Sequence, residues 1–242
     1  MNSKTINEII NLDTKFYKSV SVEFSRTRHI PWPGWNQLLP YLKEKGKCAS
    51  ILDLGCGNGR FLKYICQVLP SDDMSYLGID NNEKLINISI KNFSNIKKFK
   101  LVNSNIITDV KNIKGKYTIV VAFGITHHIP SLKQRKLWFK HISTLIENSG
   151  YFIFTKWNID KDIRSIKLKK EIPSISIKDL EIGDYFYNWK NKNIYRYVHI
   201  YSKKETNEIF KILKKSNMIL IKSFDSDGKT SVLNTYYIFK KV

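Results

Sequence analysis

The sequence predicts an α/β fold: a seven-stranded, mostly parallel sheet with an antiparallel last strand. Three observations carry this. Apolar strand-like runs alternate with helix-like spacing from Ser50 to Trp157, which implies right-handed crossovers between parallel strands. The first run, Ile51-Leu52-Asp53-Leu54, enters a glycine-rich turn, Gly55-Cys56-Gly57-Asn58-Gly59. Two last runs flank Asp227-Gly228, a pair suited to a hairpin turn.

Taken in order, residues 3–23 carry helical spacing through Ile6, Ile9, Ile10, Phe16, Tyr17 and Val20. Residues 24–35 follow as an extended stretch, because Pro31 and Pro33 disfavour helix at and before them. A short helix runs to about Glu44. Behind the glycine turn a helix opens at Phe61-Leu62-Lys63-Tyr64-Ile65. Leu77-Gly78-Ile79-Asp80 ends the second strand, Leu101 to Asn105 is the third and Tyr117 to Phe123 the fourth. A helix spans Ser131 to Asn148, with Ser131 as its N-cap and Gly150 as its stop. Tyr151 to Trp157 is the fifth strand. Residues 158–200 break the alternation and read as an insertion that covers the site. A helix from about Lys203 to Lys215 and strands at Met218–Phe224 and Val232–Phe239 complete the sheet. This divides the chain into an N-terminal helical extension (1–48), a ligand-binding core (49–157), the insertion or lid (158–200) and the closing part of the core (201–242).

Composition narrows the classes. With 242 residues and 42% hydrophobic content the chain can bury a full core. Its apolar runs are too short to span a bilayer and its first residues lack the apolar stretch of an export signal, so no membrane partner and a cytoplasmic setting are expected. Cys48, Cys56 and Cys66 have neither metal-ligand nor disulfide spacing, and no metal is expected. The formal net charge is +20, distributed as +4, +7 and +9 over residues 1–50, 51–150 and 151–242. A diffuse positive surface attracts polyanions, but 35 lysines against 6 arginines, with abundant Asn and Ile, also fits a compositionally biased genome. Charge alone leaves both open.

The glycine turn is the most informative segment. Alternating glycines let the backbone turn tightly and approach a ligand, and the helix behind offers unpaired N–H groups. Asp80 stands where a carboxylate accepts both ribose hydroxyls. The spacing Gly55-x-Gly57-x-Gly59 differs from the G-x-G-x-x-G of a pyrophosphate site. With Asp53 ahead of it, it resembles motif I of the class I S-adenosylmethionine methyltransferases, which have a Rossmann-like sheet. That resemblance implies S-adenosylmethionine as cofactor, with Asp53 near its ammonium and Asp80 on its ribose. Asp53, Gly55, Cys56, Gly57, Asn58, Gly59, Asp80, Asn81, Phe123 and Gly124 become the cofactor-site candidates. Asn105 joins them, standing where the family usually places an acid that meets the adenine amino group.

A second motif concerns the acceptor. Phe24-Ser25-Arg26-Thr27-Arg28-His29-Ile30-Pro31-Trp32-Pro33 places two arginines beside stacking surfaces, suited to a phosphate, a carboxylate or an unstacked base. It equally suits a structural loop with solvated arginines. The stretch resembles the F-S-x-T-R-x-x-x-W-P signature of the tRNA wobble-uridine carboxymethyl methyltransferases and their bacterial relatives. Two further matches follow in order: Ile125-Thr126-His127-His128 with Arg135 after it, and Trp189 with Tyr195-Arg196-Tyr197-Val198-His199. Asp227-Gly228-Lys229-Thr230 departs from that family. The resemblance implies tRNA, at its anticodon region, as partner and the carboxylate of a 5-carboxymethyluridine as methyl acceptor. It also brings in a small zinc-binding activator subunit, with which family members often act. It makes Arg26, Arg28, Trp32, Trp35, Arg135, Trp189, Arg196 and His199 substrate-site candidates, and Arg28, His127 and His128 the catalytic ones.

A carboxylate is ionised at neutral pH and needs no general base, so positioning for in-line attack carries the reaction. At most one of Arg26, Arg28 and Arg196 is expected on the nucleophile, since a tighter grip stabilises the ground state. An amine or hydroxyl acceptor would need a base, and His127 or His128 is then the candidate. A small-metabolite methyltransferase and a non-catalytic cofactor-binding partner of an RNA enzyme remain alternatives.

Overall fold

In the computed structural model, residues 1–46, 49–69, 74–94, 98–158, 167–189 and 194–242 are described. Cys48 and the parts of the insertion at 159–166 and 190–193 lie outside them. The strands are β1 (Ser50–Leu54), β2 (Ser75–Asp80), β3 (Phe99–Asn103), β4 (Tyr117–Ala122), β5 (Ile146–Trp157), β6 (Leu168–Lys169), β7 (Asp184–Asn188), β8 (Tyr195–His199), β9 (Met218–Ser226) and β10 (Asn234–Lys241). Seven of them form one sheet in the order β3-β2-β1-β4-β5-β10-β9. Parallel pairing runs from β3 to β5, and β10 lies antiparallel to both β5 and β9. The helices are α1 (Ser3–Arg26), α2 (Leu39–Lys45), α3 (Arg60–Val68), α4 (Glu83–Phe93), α5 (Leu132–Thr144) and α6 (Lys203–Lys215). Among the described residues no helix is long and apolar enough to cross a membrane.

The central strands are largely apolar because both faces are covered. Along β4, Ile119 and Val121 join the layer containing Leu62 and Ile65 of α3. Val120 and Ala122 join Trp138, Phe139 and Ile142 of α5 and Leu213 of α6. Period-two alternation therefore feeds two cores from one strand.

The insertion builds a second sheet, β6-β7-β8. Helix α1 packs on it: Phe16 and Val20 join Trp157, Tyr187, Trp189 and Val198, while Ile9 joins Phe186 and Tyr197. Asn2 caps α1, its side chain accepting the Thr5 N–H at 2.9 Å. The N-terminal extension and the insertion thus form one wall, a relationship no local pattern signals.

Several boundaries differ from expectation. Helix α1 continues to Arg26, so Phe24-Ser25-Arg26 is helical, and Pro33–Leu38 is a 3₁₀ helix, which leaves only residues 28–32 of the expected extended stretch outside helical structure. Strand β3 is Phe99–Asn103 rather than 101–105. It is the sheet edge, where Lys98 and Lys100 alternate with apolar residues and dilute the apolar signal. Helix α5 ends at Thr144, and β5 begins at Ile146 and runs through Gly150. The Asp227-Gly228 pair opens a loop that lasts to Leu233, because Asp227 is buried and its carboxylate is used structurally.

Candidate functional site

At the carboxyl end of β1 the backbone turns through Gly55 at φ 80°, Gly57 at φ 55° and Gly59 at φ 76°. The Gly55 and Cys56 N–H groups both donate to the Ile79 carbonyl, at 2.8 and 3.2 Å, which pins the turn to β2. A Cβ at Gly55 would collide with Ile125, whereas one at Gly57 would find its nearest neighbour, Leu85, at 4.0 Å. Gly57 is thus required by its backbone conformation and leaves open space toward a cavity of about 590 Å³.

Two carboxylates face that cavity. Asp80, at the end of β2, accepts the Gly57 N–H at 2.9 Å and the Asn82 N–H at 2.8 Å. Burial pushes its carboxyl above the usual range despite those bonds. Asp53 is 2% exposed and accepts the Tyr76 hydroxyl at 2.5 Å. Burial raises it to about 7, the Tyr76 bond opposes this and the Asp80 charge adds to it. A cationic ligand end relieves such a buried acid pair. A carboxylate at the end of β2, a glycine turn open to the cavity, a buried acid and the apolar faces of Phe123 and Leu85 together fit S-adenosylmethionine.

The far wall is built from α1, β5, β7 and β8. Arg196 is 7% exposed and lines the cavity. Its guanidinium lies over the rings of Trp157 at 4.8 Å and Tyr187 at 5.2 Å, and Nη1 donates to the Tyr17 hydroxyl at 2.7 Å. Its Nε has no hydrogen-bond partner, and no carboxylate among the described residues pairs with it. His127 also lines this end, its ring 4.6 Å from Trp157 and its Nδ1 unpartnered. Burial, with the nearby His128 and Arg196 charges, holds its pKa well below the usual imidazole value, so it is neutral.

The third wall carries Arg28, Trp32, Trp35 and Arg60. Trp32 and Trp35 stack at 5.5 Å, and the Arg60 guanidinium lies 4.9 Å from the Trp32 ring. Burial, then the Arg28 charge, lower the Arg60 guanidinium to about 10. The Asn58 amide donates to Ser25 Oγ at 3.1 Å and to the Arg28 carbonyl at 3.2 Å, tying this segment to the glycine turn. Buried Asp227 accepts from the Gly34 N–H at 3.0 Å and the Tyr236 hydroxyl at 2.6 Å, fixing the tryptophan loop from below.

The structure brings most of the candidates to one cavity: Arg28, Trp32, Trp35, Asp53, Gly55, Cys56, Gly57, Asn58, Asp80, Asn81, Phe123, Gly124, His127, Trp189 and Arg196 line it. Six lie elsewhere. Gly59 caps α3 and packs against Ser89. Arg26 ends α1 outside the lining. The Asn105 side-chain carbonyl accepts the Ile107 N–H at 2.9 Å and caps its own turn rather than facing a ligand. His128 sits behind the wall, bonded to Tyr17 and Tyr197.

Arg135 and His199 belong to a buried ion-pair network instead of the cavity. Arg135 is 1% exposed and bonds Glu205 at 2.5 Å, Glu181 at 2.8 Å and the Ile129 carbonyl at 2.9 Å. His199 bonds Asp184 at 2.6 Å and Glu205 at 2.7 Å. Burial alone would depress its imidazolium, but these two bonds outweigh it and raise the pKa. Glu181, Asp184 and His199 bring ligand-type atoms within 4.8 Å of one another. Arg135, Glu205 and the Tyr197 hydroxyl, which donates to Asp184 at 2.6 Å, already satisfy those atoms.

Tyr17, Arg60, Trp157 and Tyr187 also line the cavity, and no sequence motif singles them out. Arg60 follows Gly59 directly and was locally findable. Tyr17 was not, since its partners are His128 and Arg196.

A methyltransferase-domain family model matches residues 27–218. The mouse tRNA (carboxymethyluridine(34)-5-O)-methyltransferase ALKBH8 is 23% identical over 172 residues, covering 69% of this chain and 24% of that protein. The chain thus spans about a quarter of that relative's length. The Schizosaccharomyces pombe tRNA (carboxymethyluridine(34)-5-O)-methyltransferase is 24% identical over 231 residues, covering 88% and 91% of the two chains. The magnesium protoporphyrin IX methyltransferase of Synechocystis PCC 6803, solved with bound S-adenosylmethionine, shares the fold with a TM-score of 0.62 at 11% identity, covering 95% of each chain. By its sheet order, its glycine turn and the extent of the family match, the chain belongs to the methyltransferase-domain family, as an S-adenosylmethionine-dependent member.

Proposed function

We propose that this methyltransferase esterifies the carboxylate of a 5-carboxymethyluridine-type nucleotide at the wobble position of tRNA. The observation that carries the reading is Arg196. A buried guanidinium without a carboxylate partner among the described residues, boxed by aromatic rings at the end of the cavity away from the glycine turn, is a receptor for an incoming anion. The two tRNA-methylating relatives and the net charge of +20 support a polyanionic carrier for that anion.

S-adenosylmethionine supplies a methyl group on a sulfonium, electrophilic without acid assistance. Asp80 and Asp53 hold the donor end, and Arg196 holds the acceptor carboxylate. Trp157, Tyr187 and Trp189 exclude water around it. The bound cofactor would supply the methyl group to a carboxylate oxygen, its S–CH₃ bond breaking as the O–CH₃ bond forms, with a neutral ester and a thioether as products. No proton is transferred, so neutral His127 serves as wall rather than base. A single arginine on the acceptor leaves its oxygen nucleophilic.

The test is incubation of the protein with tRNA and methyl-labelled cofactor, followed by nucleoside mass analysis. An ester on carboxymethyluridine, released by mild alkali, is expected. Alkali-stable label in tRNA, or transfer to small carboxylic acids alone, would overturn the reading.

A further inference from the structure

Among the described residues no carboxylate aims the proposed acceptor guanidinium, and its hydrogen-bonded neighbour is a hydroxyl. The Tyr17 hydroxyl meets two groups at once: it accepts from Arg196 Nη1 at 2.7 Å and lies 2.8 Å from His128 Nε2. His128 Nδ1 faces only acceptors, the Tyr197 carbonyl at 2.7 Å and an Asp13 carboxylate oxygen at 3.0 Å. It therefore carries a proton, and the other ring nitrogen, Nε2, is placed to accept from the Tyr17 hydroxyl. The Tyr17 O–H then points at His128, and its lone pairs are turned toward Arg196. Tyr197 is the residue after Arg196, so the relay closes on the same strand it orients. The Tyr17 backbone carbonyl meanwhile accepts from Asn82 Nδ2 at 2.7 Å, two residues beyond Asp80. One residue of α1 thus touches both the donor side and the acceptor side.

We infer that Tyr17 is a positioning residue that aims Arg196 at the acceptor carboxylate, its own orientation set by His128. This rests on the carboxylate-acceptor reading above and adds to it which group holds the receptor. Tyr17→Phe removes the hydroxyl and keeps the ring, whose edge contacts with Phe16 at 5.0 Å and Phe24 at 5.5 Å remain.

The experiment compares wild type, Tyr17→Phe, Arg196→Lys and the double variant on tRNA bearing carboxymethyluridine, with cofactor affinity measured in parallel. Loss of a hydrogen bond to a charged group predicts a fall of about tenfold in kcat/KM for Tyr17→Phe, carried mostly by KM. Cofactor affinity stays at the wild-type value. Because Tyr17 acts through Arg196, the double variant is no worse than Arg196→Lys. Multiplicative losses would overturn the relay. A long-range ¹H–¹⁵N spectrum of His128 gives a readout independent of turnover. It should show Nε2 unprotonated, with a resonance that moves in Tyr17→Phe, and a protonated Nε2 would overturn the assignment. Wild type that leaves carboxymethyluridine untouched, with the His128 signature intact, would sink the acceptor reading and not the relay.

Discussion

The Asn58 side-chain amide donates to the Arg28 backbone carbonyl at 3.2 Å, which joins the cofactor turn to the arginine–tryptophan segment thirty residues earlier. The same amide reaches Ser25 Oγ. The proposed donor and acceptor surfaces are therefore not independent: the arginine–tryptophan segment is seated on the glycine turn.

Asn58→Ala should weaken both. Two lost hydrogen bonds at a part-buried site predict a change of about fivefold to tenfold in cofactor Kd, with a parallel rise in acceptor KM. Calorimetry and steady-state kinetics check this. A change in one constant alone would show that the two segments are not coupled.

Gly57→Asp should abolish cofactor binding with only a modest loss of stability. Aspartate tolerates the left-handed backbone better than most residues, and the space in front of Gly57 is open. Its carboxylate would stand beside Asp80 and occupy the ligand's place. Calorimetry showing wild-type affinity in this variant would remove the turn from the site.

Asp53 makes the cofactor-free protein pH-sensitive in a defined direction. Its folded carboxyl titrates at about 7, above the unfolded value of about 4. A group raised on folding gives stability below its unfolded pKa and loses it as pH rises through the folded one. Asp53→Asn should therefore gain stability relative to wild type between about pH 4 and pH 8, by a few kcal/mol at most. Urea melts at both pH values test this. Cofactor binding near pH 6.5 should also release a proton from wild type, read as a dependence of calorimetric heat on buffer ionisation.

At saturating cofactor the rate of transfer should be flat from about pH 6 to 9. Burial keeps His127 neutral across that range, and a carboxylate acceptor is ionised throughout it. A rising limb near pH 6.5, abolished in His127→Asn, would point to an amine or hydroxyl acceptor and a histidine base.

What the sequence revealed was what lies close along the chain. The strand, the three glycines and Asp80 form one short βαβ unit whose chemistry is written in neighbouring residues. Asn105 misled because β3 is an edge strand: its alternating lysines hid the frame, and two residues of slippage moved Asn105 into a turn. Arg135 and His199 sit in motifs that resemble the tRNA enzymes, yet Arg135 is consumed by carboxylates 70 and 46 residues later, and His199 by Asp184 on the neighbouring strand and Glu205 six residues on. No local pattern announces that Glu205 and Glu181 will be there. Tyr17 shows the converse, since it reads as one apolar position of an amphipathic helix until Arg196, 179 residues later, folds against it.

If the acceptor is a carboxylate as proposed, the aromatic box around Arg196 would bear on turnover. A methyl ester carries no charge, so transfer would remove the very attraction that seated the acceptor and leave the guanidinium facing a group it grips only weakly. Departure of the product would thereby be favoured by the chemistry itself, and the emptied cation would stand ready for the next carboxylate.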